Sequence, residues 1–242
     1  MHKMLIGAPI VLLYHRIGRP KLSSLVAGQY VCPGLFRSGL DYLTSKSWRA
    51  ATLEDIVENR CDGNQFAITF DDGYQSVYEH AYPAMVERHM TGTVYVVSGA
   101  IGGINEWDRR AGDTREPMMS TAQVREMSDA GFEIGAHTVS HPRLTLISDD
   151  QLEREIVDSK HALEDIIGKE VVSFSYPYGD RDERVIEAVK AAGYKYAVST
   201  KLGVANLDGV FEIPRVNVRW NALGWLLMRK IWRARRASGT AH

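Results

Sequence analysis

Cysteine is scarce: Cys32 and Cys61 are the only two in 242 residues. Two thiols cannot supply a cysteine-rich zinc site, and one pair is no disulfide framework, so both read as buried or idle thiols. Charge of one sign is not in excess either. The 29 basic residues nearly balance the 30 acidic ones and leave a formal net charge of −1, which gives no overall electrostatic reason to bind nucleic acid. No apolar run is long enough to cross a membrane as a helix. The stretch Met4–Tyr14 (MLIGAPIVLLY) behind Lys3 resembles a short signal core. It contains Pro9, lacks a convincing small-residue cleavage site and runs straight into Tyr14-His15. Pro9–Tyr14 is therefore read as a buried strand, with a cytoplasmic or inner-membrane-surface location expected. Also missing are a Pro/Gly/Ser-rich linker, an internal repeat, and a Gly-rich phosphate loop followed by Lys-Ser/Thr.

Hydrophobic residues make up 45% and charged residues 24% of the chain, enough to bury one sizeable core. One domain is expected over residues 1–220, followed by a basic amphipathic segment over 221–242. Ile10–Tyr14, Phe66–Phe70, Thr93–Val97, Phe132–Ala136, Val171–Tyr176, Tyr196–Ser199 and Phe211–Val218 read as strands. Helical spacing marks Leu35–Lys46, Thr52–Asn59, a Tyr74–His89 segment interrupted by Pro83, and Arg184–Ala192. Capping-box pairs Ser120/Gln123 and Ser148/Gln151 open two further helices. Gly99–Pro117 has no clear periodicity and reads as a long connection, a feature often tied to function. Strands separated by helices imply an α/β fold of parallel βαβ units. About seven strands suit a distorted (β/α) barrel, with an open doubly wound sheet as the alternative.

Three short segments each fall at the C-terminal end of a predicted strand. They are Thr69-Phe70-Asp71-Asp72-Gly73, His137-Thr138-Val139-Ser140-His141-Pro142 and Phe174-Ser175-Tyr176-Pro177-Tyr178-Gly179. In a parallel barrel these strand ends share the face where active sites gather. His137 and His141, four apart, are able to aim two imidazoles at one ion. With one carboxylate they make a plausible catalytic zinc site. Taken alone, His-x-x-x-His is more often a pair of surface or capping histidines, and Asp-Asp-Gly is more often a turn. Of two aspartates at a strand end, one is free to ligate a metal while its neighbour takes a proton from water.

Together the segments resemble the motifs of the polysaccharide deacetylases, a carbohydrate esterase family. Its first motif, Thr-Phe-Asp-Asp-Gly, is matched in full by Thr69–Gly73. Its second, His-Ser/Thr-x-x-His-Pro, is matched by His137–Pro142, and the end of its third by Pro177-Tyr178-Gly179. The resemblance implies a distorted (β/α) barrel, with Asp71 as general base and Asp72, His137 and His141 as metal ligands. It implies the backbone N–H of Tyr178 as an oxyanion donor, and a divalent cation, zinc first, with cobalt, nickel or manganese also accepted. The substrate it implies is an N-acetylated amino sugar in a polysaccharide, oligosaccharide or lipid-linked glycan. A deformylase, an O-acetyl sugar esterase or a non-catalytic carbohydrate-binding relative remain as alternatives.

Two departures matter. The third motif usually opens with an arginine that orients the base, but Ser175 stands there; Arg215 is the candidate replacement. The C-terminal Leu-x-x-His that carries the general acid in many members is missing. Some branches instead carry a histidine after an apolar strand near the start of the domain, as Ile10–His15 (IVLLYH) does, so His15 is the expected acid. Trp107, in the Gly102–Asp108 loop, either stacks on a sugar or pins the loop. Finally, Asn221 to the end holds five basic residues and no acidic one. Leu223, Leu226, Leu227, Ile231 and Ala234 follow helical spacing beside a Trp225, Met228 and Trp232 stripe. That segment either lies on an anionic membrane surface or packs on the barrel. No feature fixes an oligomeric state.

Overall fold

The computed structural model describes residues 8–20, 23–61, 63–205, 209–221 and 223–239. The part of the Met4–Tyr14 stretch before Ala8 lies outside the described residues. The chain opens with β1 (Ile10–Tyr14), β2 (Arg16–Ile17), β3 (Tyr30–Val31), α1 (Pro33–Ser45), β4 (Arg49–Ala50), α2 (Leu53–Val57) and β5 (Gln65–Phe70). A π-helical turn at Val77–Ala81 leads into α3 (Tyr82–Val86), β6 (Thr93–Val96), α4 (Glu106–Arg110), α5 (Thr121–Asp129) and β7 (Glu133–Ala136). Then come α6 (Asp149–Ile167), β8 (Ser173–Ser175), α7 (Glu183–Ala191), β9 (Tyr196–Val198), β10 (Val216–Asn217) and α8 (Gly224–Gly239).

Seven strands lie side by side in the order β10-β1-β5-β6-β7-β8-β9, all pairs parallel, with β4 added beside β5. The architecture is a distorted (β/α) barrel. Parallel strands covered on both faces read as continuous apolar runs, and all five residues of β1 are buried. Alternate residues serve opposite faces. Ile10, Leu12, Phe66, Ile68 and Phe70 join Phe36 and Leu40 of α1 in the core beneath the helices. Val11, Ala67, Tyr95, Tyr196, Val198 and Ile213 form the inner core, which α2 closes with Leu53 and Ile56. Gly135 is required here by close approach: a Cβ would lie 2.4 Å from Cε1 of Tyr95.

The expected strand Phe211–Val218 is broken in two. Ile213 bridges Val198 of β9, whereas Val216 pairs with Leu12 of β1. Pro214, between them, has no N–H for a ladder, and the chain passes from one neighbour to the other there. The Tyr74–His89 segment is likewise not one α-helix, because Pro83 is accommodated by the π turn before α3. The Gly99–Pro117 connection contains α4. Capping boxes at Ser120/Gln123 and Ser148/Gln151 are present, and a third, Thr52/Asp55, opens α2. In α8, Leu227, Ile231 and Ala234 are buried in the main core.

Candidate active site

The three motif segments and His15 all leave the C-terminal ends of parallel strands: His15 from β1, Asp71 and Asp72 from β5, His137 from β7 and Pro177-Tyr178 from β8. Extended backbone alone would send Asp71 and Asp72 to opposite faces. The chain instead turns sharply at each site. Asp72 has φ 76°, Thr138 68°, His141 62° and Tyr178 60°. Left-handed backbone is unfavourable for residues with a Cβ, and it persists where surrounding structure enforces it, commonly at functional sites. The enforcement is visible at the second motif. Glu155 of α6 accepts hydrogen bonds from the N–H groups of Val139 and Ser140 at 2.8 Å each, and Thr138 Oγ1 accepts from His141 N–H at 2.9 Å.

These turns bring Asp72, His137 and His141 together, one ligand atom from each within 4.8 Å of the others, all buried. Nε2 of His137 and Nε2 of His141 each lie 3.3 Å from Asp72 Oδ1. His137 Nδ1 lies 2.6 Å from the Ser175 carbonyl oxygen. A carbonyl only accepts, so Nδ1 carries the proton. In the neutral imidazole, the form a bound ion selects, Nε2 then turns its lone pair toward the carboxylate. Without an ion, burial lowers the His137 imidazole but Asp72 and Asp71 outweigh it and raise it. Two acceptors facing each other at that distance suit a cation held between them. Two imidazoles and one carboxylate fit a divalent ion with further positions open. Burial pushes the Asp72 carboxyl up, but the two imidazoles outweigh it and hold it well below the usual carboxylate range. Burial also lowers the His141 imidazole, favouring the neutral form a ligand needs.

Asp71 is buried beside this group and gripped by Arg215. The guanidinium is fully buried and donates Nη1 and Nη2 to the two carboxylate oxygens at 2.7 Å each. It also donates to Thr69 Oγ1 at 3.0 Å, to Ser175 Oγ at 3.1 Å and through Nε to the Ser199 carbonyl at 2.9 Å. Ser175 Oγ donates to Asp71 at 3.2 Å. The guanidinium therefore reaches Asp71 from the closing segment of the barrel, and Ser175 hydrogen-bonds to both. Burial raises the Asp71 carboxyl, but Arg215 overrides it and the net shift is downward. His15 sits at the mouth of β1, where burial lowers its imidazole and the charges of Asp72 and Asp71 pull the other way.

Trp107 stacks on His141, with ring centroids 4.6 Å apart and an interplanar angle of 25°. The ring of Tyr178 meets His141 edge-on at 4.6 Å and is partly exposed, with Arg143 lying 4.5 Å over its face. Sequence reasoning missed Glu155, and it missed Arg16. Buried Arg16 donates to Asp108 at 2.5 Å, to Tyr74 Oη at 2.8 Å, and to Asp113 and Tyr30 Oη at 3.1 Å each. The one available signal for Arg16 was its place directly after His15 at the end of an apolar strand.

The sequence matches the family described as Polysaccharide deacetylase over residues 58–197. It is 30% identical over 211 residues to the Bacillus subtilis (strain 168) protein YxkH, which is named for the same family. That alignment spans 86% of this chain and 70% of YxkH. It is 23% identical over 247 residues to a poly-beta-1,6-N-acetyl-D-glucosamine N-deacetylase of Staphylococcus aureus, spanning 92% of this chain and 83% of that protein. Among solved structures, the Streptococcus pyogenes deacetylase PplD in complex with acetate superposes with a TM-score of 0.79 at 23% identity. The superposition covers 92% of this chain and 97% of the other.

Proposed function

Because this chain belongs to the polysaccharide deacetylase family, and so to enzymes that cleave acetyl amide bonds of polysaccharides, we propose that it is a divalent-cation-dependent N-deacetylase of N-acetylated hexosamine units. The observation that carries the reading is the convergence of Asp72, His137 and His141 beside an Asp71 locked by Arg215. Zinc is the cation that donor set suits first. When bound, it supplies Lewis-acid polarisation of the acyl oxygen and lowers the pKa of a water towards neutrality.

The chain's own groups divide the remaining work. Asp71, ionised and aimed by Arg215, takes the proton from the attacking water. The N–H of Tyr178, presented by its left-handed turn, donates to the oxygen as negative charge develops there. His15 protonates the departing amine; burial weakens its hold on a proton and so makes its protonated form a stronger acid. Trp107 and the exposed ring of Tyr178 flank the histidines and offer apolar faces to a sugar. The Staphylococcus aureus relative is named for a β-1,6-linked N-acetylglucosamine polymer, which makes that class of glycan the first substrate to try.

The test is acetate release from defined N-acetylglucosamine oligomers, with chelated protein and with each metal restored. Wild-type turnover should return with zinc. Asp71→Asn should lose about 10²–10⁴-fold while still binding the ion. Metal bound without release of acetate from any acylated sugar defeats the proposal.

A further inference from the structure

Helix α8 has two faces of different character. Leu227, Ile231 and Ala234 are buried in the barrel core. At about 100° per residue, Trp225, Arg229, Trp232 and Arg236 fall on one stripe opposite that seam. Trp225 and Trp232 keep 59% and 55% of their surface exposed, and Trp220, just before the helix, keeps 63%. Arg229, Arg233 and Arg236 are also exposed, and the Arg236 guanidinium lies 4.5 Å over the Trp232 ring. A large exposed apolar patch on a folded domain marks an interaction surface. An indole is among the costlier groups to leave in water, since it has a large area to bury.

Two observations decide what covers this face. The first is charge: from Asn221 onward the chain has five basic residues and no acidic one, while the rest of it is acidic in excess. The second is the alternation of Trp and Arg along one stripe. Protein interfaces enrich Trp and Arg as well, so the unbalanced positive charge is what favours an anionic lipid surface. Helices lying at a lipid surface set indoles at the headgroup level and arginines against anionic headgroups. No helix among the described residues is long and apolar enough to cross a membrane. We propose that the outer face of α8 docks this protein peripherally on an anionic phospholipid bilayer.

β10 runs parallel to β1, so the chain leaves β10 toward Trp220 at the end of the barrel that carries His15, while Gly224 at the start of α8 lies against the Tyr42 ring in the last turn of α1. The helix then runs back to the foot of the barrel, where Arg235 donates to the Ala8 carbonyl at 3.4 Å and to Asn64 Oδ1 at 2.9 Å.

The experiment is flotation of the full chain with vesicles of phosphatidylcholine alone, or of phosphatidylcholine with phosphatidylglycerol. Wild type should float only with the anionic vesicles, shift its tryptophan emission to the blue, and detach as salt rises. Trp225→Ser with Trp232→Ser should abolish flotation. Arg229→Gln with Arg233→Gln should weaken it by about tenfold or more. Both variants should keep wild-type thermal unfolding and wild-type turnover on soluble oligomers. Failure of wild type to float with anionic vesicles overturns the proposal, as does equal flotation of the tryptophan variant. So does a solution dimer that the tryptophan variant converts to monomer. The vesicle readout is independent of turnover, so a failed deacetylase assay would leave this result standing.

Discussion

Arg215 meets Asp71 with two nitrogens at 2.7 Å in a fully buried setting. Breaking a buried pair from one side costs roughly 3–5 kcal/mol, because the remaining charge is left uncompensated. The sign of the pH effect follows from the direction of the shift. Arg215 holds the Asp71 carboxyl below its ordinary value, so the pair's contribution is full above the unfolded carboxylate pKa and is lost as pH falls through the depressed folded value. In Arg215→Met the burial penalty is opposed only by the lesser pull of His137 and His15. The acid limb of the pH–rate profile should move to higher pH, and thermal stability at neutral pH should drop. A profile that stays in place would deny Arg215 its tuning role. His15 allows a different separation. His15→Gln should lower acetate release from amides by about 10²–10⁴-fold, but should hardly affect an activated aryl acetate, whose leaving group departs without a proton. Equal losses on both substrates would remove His15 as the acid. Residues such as Asp72 and His141 were legible as candidates because each stands at a short, fixed spacing within its own turn, Asp72 beside Asp71 and His141 four after His137. Glu155 was not, since it reaches the second motif from a different helix and no local pattern marks a solvated glutamate as a brace.

The loop from Gly99 to Pro117 shows what an element adds to its residues. Lacking periodicity, it read as a long connection of the kind often tied to function, and it contains α4 and carries Trp107 onto His141. What orders it is long-range: Arg16 on β2 binds Asp108 within α4 and Asp113 just after it, together with Tyr74 after β5. Those partners are distant in sequence, so neither strand nor helix patterning reveals them. By contrast β1, β5 and the capping boxes of α5 and α6 depend on neighbours in sequence and were readable. Two-residue strands such as β2 and β3 were not, because so short a run has no period. Arg16→Met should free the loop while leaving the metal ligands in place. Small displacements of positioning groups cost up to about 10²-fold in rate, so kcat/KM should fall by about tenfold to a hundredfold. Tryptic cleavage after exposed Arg109 should quicken as well. If neither changes, the clamp does not position Trp107.

At the scale of the whole molecule, the barrel's parallel order gathers loops from β5, β7 and β8 at one end, and a shared ion would tie the first two together. The order of strands and helices was readable from the sequence. The split closing segment at Pro214 was not, because the choice between β9 and β1 is made by packing rather than by local preference. The left-handed residues at Asp72, Thr138, His141 and Tyr178 are held against their own conformational bias, and the proposed ligand cluster asks the loops after β5 and β7 to meet. An ion bound only by the folded state stabilises it by about 2.7 kcal/mol at a hundred times its Kd. For a domain of this size, about 1 kcal/mol moves Tm by about 2–4 °C. Zinc added to the chelated protein should therefore raise Tm by about 5–10 °C. Asp72→Asn should erase the rise, because it removes the one carboxylate among the ligands. Asp71→Asn should keep it, because Asp71 stands beside the ion and not on it. The same scan in zinc titration separates ligand from base without any substrate: a rise that survives Asp72→Asn would put the ion elsewhere, and one that vanishes with Asp71→Asn would reverse the two roles.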